Sequence, residues 1–263
     1  MVMVDALRSH RSIGSMRSSF VYTQASRSIL IAVATLFISE TMAFGQSLNN
    51  AEEIPIRVNF SVFAFDRLSD IHFISGDRAG GSPLTFYSSD RSPVYTYEGL
   101  NPIVFYRETP APTDLDAKAV KRIKVGEISL PHSAGDFLFI FFPNPDPEEE
   151  GYRIYPIDDS LSALPYGSLR FFNTSSQQLI GKLGKTRVSV GRGLSKVYSL
   201  SGNSHSLAFG FEHEGQYYAS YQNTFQLGEH SRGIFMISPP FIKGSALLQT
   251  RFLSQTSASG EID

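Results

Sequence analysis

Residues 137–142 read Phe-Leu-Phe-Ile-Phe-Phe, six large apolar side chains in succession. A strand turns successive side chains to opposite faces. This stretch is therefore apolar on both faces, the condition of a strand inside a sandwich. A strand of an outer-membrane barrel would instead alternate apolar and polar residues over about 9–11 positions. The run stops at Pro143-Asn144-Pro145-Asp146-Pro147-Glu148-Glu149-Glu150-Gly151, whose prolines and acids cannot continue a hydrogen-bonded ladder.

The rest of the chain follows the same pattern. Helical periodicity is nearly absent, and short apolar or alternating runs recur between Gly, Pro, Asn and Asp. Strands are predicted near 54–66, 71–75, 84–88, 94–97, 102–107, 120–129, 136–142, 152–157, 168–173, 178–183, 186–190, 195–200, 205–213, 216–223, 232–238 and 245–253. Many short strands with frequent turn signals predict an all-β fold of packed antiparallel sheets. The spacing predicts two sandwich units, 54–157 and 166–253, joined by Asp158 to Pro165, with a small, polar, disordered tail at 254–263.

The first 45 residues have the three-part build of a secretory signal. Arg8, Arg11, Arg17 and Arg27 precede the apolar run Ile29 to Ile38, and small residues Ala43 and Gly45 flank a cut that leaves Gln46 first. Ten apolar residues ended by Glu40 are short of the about 20 a spanning helix needs. The expected location is periplasmic or extracellular, with membrane contact only through the cleaved segment. The leader takes four arginines and two acids from totals of 23 and 25, leaving 19 Lys+Arg against 23 Asp+Glu. That balance lacks the basic face of a nucleic-acid binder. The chain has no cysteine, so disulfides, thiolate metal sites and Cys nucleophiles are excluded and packing alone must hold it.

The motifs point away from familiar chemistry. Gly181-Lys182-Leu183-Gly184-Lys185-Thr186 resembles the end of a phosphate-binding loop, but Leu179 stands where the first glycine belongs. A strand-like Arg187 to Val190 follows, not a helix, so a hairpin turn and no nucleotide are expected. His72, His132, His205, His213 and His230 show no metal-ligand spacing. His205 and His213 share a strand face, but eight residues at about 3.3 Å each hold them apart. The acidic loop 146–150 lacks EF-hand spacing. Asp158-Asp159 and Glu212/Glu214 are the visible carboxylate pairs, and no Gly-x-Ser-x-Gly elbow occurs. No catalytic residue, cofactor or metal is therefore expected. Of two Asn-x-Ser/Thr sequons, at Asn59 and Asn173, the second is expected to turn the chain.

Asp159-Ser160, Pro165-Tyr166-Gly167 and Arg170-Phe171-Phe172-Asn173 form a pattern that resembles uncharacterised secreted β-sandwich proteins of Gram-negative bacteria. The resemblance covers about a tenth of the chain. It implies an immunoglobulin-like unit and an exported protein, and it carries no activity and no functional residue. The expected role is non-catalytic, structural or protein-binding, in the cell envelope. A second reading is a carbohydrate-binding module using Tyr217, Tyr218 and Tyr221, expected on one hairpin with Tyr217, Ala219 and Tyr221 on one side. A third is a secreted hydrolase. The partner is then an envelope protein or a glycan. Intact-mass analysis of the exported form is expected to give a chain beginning at Gln46; a product retaining Ile29 to Ile38 in the membrane fraction replaces export with anchoring.

Overall fold

A computed structural model describes residues 55–76, 80–110, 120–131, 133–146 and 149–257. The expected leader, His132, Pro147, Glu148 and residues 258–263 of the expected tail lie outside these. The described chain is built from strands, with no helix. The first eight are β1 (Ile56–Ala64), β2 (Ile71–Phe73), β3 (Ser82–Pro83), β4 (Tyr95–Gly99), β5 (Ile103–Pro110), β6 (Val120–Ile128), β7 (Ala134–Pro143) and β8 (Tyr152–Asp158). Then come β9 (Ser168–Asn173), β10 (Leu179–Leu183), β11 (Thr186–Val190), β12 (Gly193–Leu194), β13 (Tyr198–Ser199), β14 (Ser204–His213), β15 (Gln216–Gln226), β16 (Ser231–Ser238) and β17 (Gln249–Thr256).

They form four sheets: β4-β1-β7-β8, β3-β2-β5-β6, β12-β9-β16-β17 with β13 also on β9, and β11-β10-β14-β15. Count β9 as the first strand of a second series, with β12 in fourth place and β13 set aside. The third and fourth sheets then repeat the order of the first and second strand for strand. The second and fourth sheets are antiparallel throughout, as expected. The first and third are mixed, a correction to the expected antiparallel pairing. Phe60 on β1 lies opposite Phe137 on parallel β7, and Phe171 on β9 opposite Phe235 on parallel β16. A parallel pair needs a long crossover; here the facing sheet is built within it.

Three core clusters arrange these sheets in layers. The first joins the first and second sheets, with Phe60 stacked on Phe139 at 4.8 Å and Phe105 edge-on to Phe141 at 5.2 Å. The second joins the third and fourth sheets around Phe171, Phe209 and Phe235. The third packs the other face of the first sheet (Phe63, Leu138, Ile140, Ile157) onto the other face of the third (Phe172, Ile234, Met236, Leu253), with Leu164 from the connection. The first and third sheets are thus buried on both sides. That accounts for β7, where Phe137, Phe139 and Phe141 serve one cluster and Leu138 and Ile140 another. It accounts equally for Ile234-Phe235-Met236-Ile237, whose side chains alternate between the third and second clusters.

The structure departs from the expected strands where side chains take over ladder bonds. Residues 84–88 are not a strand: the Thr85 N–H donates to the Tyr95 hydroxyl at 2.8 Å. Within 195–200 only Tyr198–Ser199 pairs, because the Ser195 hydroxyl accepts from the Phe171 N–H of β9 at 2.9 Å. At the other end, β17 runs three residues into the expected tail, since Ser254 to Thr256 pair with Gly233 to Ser231. Burial sets the expected mutational response: Ile140→Ala loses about 2–5 kcal/mol in chemical denaturation, and Val94→Ala, at an exposed site, less than about 0.5 kcal/mol.

Candidate functional site

The seam between the first and third sheets has a polar end, an apolar middle and an aromatic end. β7 and β16 each run from one to the other. At the polar end, Asp159 follows β8, and its Oδ2 accepts from Arg91 Nη1 at 2.5 Å and Arg232 Nη2 at 3.4 Å. Arg232 also donates to Gln255 Oε1 from Nε and Nη2, and from Nη1 to the Leu164 carbonyl at 3.0 Å. Its guanidinium lies 5.7 Å from the centre of the Tyr166 ring. All three charged side chains are more than nine-tenths buried. Arg91 Nε and Nη2 and Asp159 Oδ1 have no partner among the described residues. One carboxylate between two guanidiniums, one from each half of the chain, fastens the seam. Removing it leaves two buried cations facing each other, so Asp159→Ala is expected to cost about 3–5 kcal/mol in urea denaturation, against less than about 0.5 kcal/mol for the exposed Glu212→Ala.

At the aromatic end a cleft of about 500 Å³ opens between the halves. Its floor is Tyr155 of β8, edge-on to Phe142 at 5.6 Å and 6.3 Å from Phe172. β8 is the edge of its sheet, which is why Pro156 is tolerated there. Ile154 enters the first core cluster and Ile157 the third, while Tyr155, on the same face as Ile157, is left 37% exposed at the end of the seam. Arg153, also on β8, and Arg192, in the bend between β11 and β12, reach the rim. Neither guanidinium makes an ion pair or hydrogen bond among the described residues. Among the described residues, no Asp, Glu or His lines the cleft. Its polar wall is already engaged: Asn173 Nδ2 donates to the Gln177 carbonyl at 2.9 Å, its Oδ1 accepts from the Ser175 N–H, and Thr174 Oγ1 donates to the Ile237 carbonyl. Asn173 turns the chain, as expected.

A larger hollow of about 880 Å³ lies over the first half, lined by Tyr97, Val104 and Tyr106. Its charged groups are matched within the protein: Glu98 to Arg57 at 2.9 Å, Arg122 to Glu108 at 3.2 Å and Lys124 to Glu127 at 2.7 Å. The seam cleft differs in having cations without counter-charges among the described residues.

The three tyrosines singled out in sequence do not form one row. Tyr217 is 54% exposed. Tyr218 stacks on Phe211 at 5.7 Å, and Tyr221 on Phe209 at 5.2 Å, both against the second core cluster. A bulge is the reason: the register shifts at Phe209/Gly210, leaving Ser220 without an opposite residue. That moves Tyr221 to the face of Tyr218, away from Tyr217 and Ala219. Burial pushes the Tyr221 hydroxyl above its ordinary range, with a hydrogen bond to Asn223 acting the other way.

The other sequence candidates disperse too. Gly184 is left-handed at φ 58° in the two-residue β10–β11 turn, and Gly181 sits in β10, where a Cβ would meet the Ala208 carbonyl oxygen at 2.0 Å. Packing against β14 requires that glycine. His205 is buried, with Nε2 3.0 Å from the Leu227 carbonyl oxygen, and His213 is exposed. No group of three or more His, Asp or Glu among the described residues is arranged to hold a metal. Asp158 is exposed while its neighbour Asp159 is buried in the seam. The cleft residues escaped sequence reasoning. Their only traces are the outward Arg153-x-Tyr155 of an edge strand and an arginine between two glycines. Compared with family models and with curated proteins, the chain matches none.

Proposed function

We propose that the protein is an exported, non-catalytic binding protein of two β-sandwich units, and that it holds its ligand in the aromatic cleft at their seam. The units are those repeated by the strand order, about 54–157 and 166–253. Each is immunoglobulin-like in being a two-sheet sandwich of roughly 100 residues, with a strand order of its own. Export rests on the cationic, apolar and small-residue build of the first 45 residues. The place of action is then the periplasm or the cell exterior, among envelope proteins and glycans.

One observation carries the binding reading. Among the described residues, the cleft offers a part-exposed ring and two guanidiniums without counter-charges, and no carboxylate or imidazole to move a proton. Such a site can hold a molecule but lacks, among the described residues, the carboxylate and imidazole that most often turn one over. Clefts between packed units are common ligand sites, and its volume lies within the usual range of about 300–1,000 Å³. A glycan-binding role, assigned by sequence to Tyr217, Tyr218 and Tyr221, has firmer support at Tyr155, because two of those three rings serve the core.

The chain from Gln46, tested against a glycan panel and envelope extract, is expected to retain a ligand that Tyr155→Ala weakens at least tenfold and Tyr217→Ala leaves alone. The reverse pattern moves the site to the β14–β15 hairpin. Chemical conversion of the retained ligand replaces binding by catalysis.

A further inference from the structure

We infer that the seam cleft selects a ligand in which a single carboxylate is attached to a ring: an acidic sugar residue or an aromatic carboxylic acid. The inference rests on the cleft being the binding site and adds what it recognises.

The charge balance comes first. Arg153 and Arg192 approach the cleft from opposite halves of the chain, one on β8 and one in the bend before β12. The charged residues of the larger hollow have opposite charges within 4 Å, but among the described residues no acid holds these two. A guanidinium presents parallel N–H donors whose spacing matches a carboxylate, and the contact is strong where water is partly excluded. Among the described residues no acid lines the cleft, so an entering carboxylate meets no like charge from them there.

The floor supplies the second half of the preference. Tyr155 is held by Phe142, edge-on, and by the tilted ring of Phe172, which fixes its orientation without covering it. A fixed, half-exposed ring beside prolines 143, 145 and 239 offers an apolar platform to another flat or ring-shaped body. A carboxylate alone would leave the platform empty. A neutral ring would leave the arginines unanswered.

A third feature limits the ligand's charge. Arg153 also borders a neighbouring depression lined by Glu149 and Glu150. A polyanion extending past Arg153 would run against these acids. The site therefore favours one charge on a compact body over a highly charged polymer.

Isothermal titration of the mature chain tests this with four probes: galacturonate, its neutral counterpart galactose, benzoate and acetate. At least one ring carboxylate is expected to bind, with acetate and the neutral sugar at least tenfold weaker. Preference for galacturonate assigns the sugar class, and preference for benzoate the aromatic class. Arg153→Ala and Arg192→Ala are each expected to weaken binding about tenfold, and added salt to weaken it further. Thermal unfolding should be unchanged in both variants, since both side chains are exposed. The inference is overturned if neither ring carboxylate binds, or if the Arg153→Ala/Arg192→Ala double variant binds them as well as the parent. Neutral-sugar binding that is abolished by Tyr155→Ala but indifferent to both arginines would sink the charge preference and leave the cleft as the binding site.

Discussion

Everything in this molecule depends on two sheets that have no outside. The first and third sheets each pack a core against a partner sheet and then pack on one another through Leu138, Ile140, Ile234 and Met236. Burying one such side chain contributes about 1.5–3 kcal/mol, so the seam adds to stability on the scale of a core. It also fixes the two halves relative to each other, and so brings β8 and β9 together at the aromatic end, where neither half alone would make a cleft. With no cysteine in the chain, apolar contact and the Arg91–Asp159–Arg232 triad do this work.

The triad and the cleft make an instructive pair. Both bring arginines to the same seam, and their chemistry differs because their burial differs. Arg232 has lost water and replaced it with Asp159, Gln255, the Leu164 carbonyl and the face of Tyr166. Such a cation is part of the architecture. Arg153 and Arg192 are exposed and their guanidiniums have no partner among the described residues, so an incoming anion displaces solvent rather than an internal group of these.

Much of the fold was legible because β-structure writes its periodicity into short windows. The doubly apolar run at 137–142 announced a strand buried on both faces, and glycine-bearing turns marked the β10–β11 and β14–β15 hairpins. Other features were hidden for definite reasons. A bulge at Ser220 is a change of register, which alternation read along one strand cannot reveal, and it redistributed the three tyrosines. The parallel pairs join residues such as Phe60 and Phe137 that are far apart in the chain. The cleft is assembled from β8, β9 and two bends, each bland by itself. Its arginines look like any surface arginine until the structure shows which ring they surround.

The parallel pairing has a consequence in time. β1 gains β4 as a neighbour early, but its other edge stays open until β7 has been made, after five intervening strands. The same wait recurs for β9 and β16. Contacts between distant parts of a chain form slowly, so neither half closes until nearly all of it is present. A chain that must be threaded through a narrow channel before folding is served by such lateness: the order of the strands delays closure by itself.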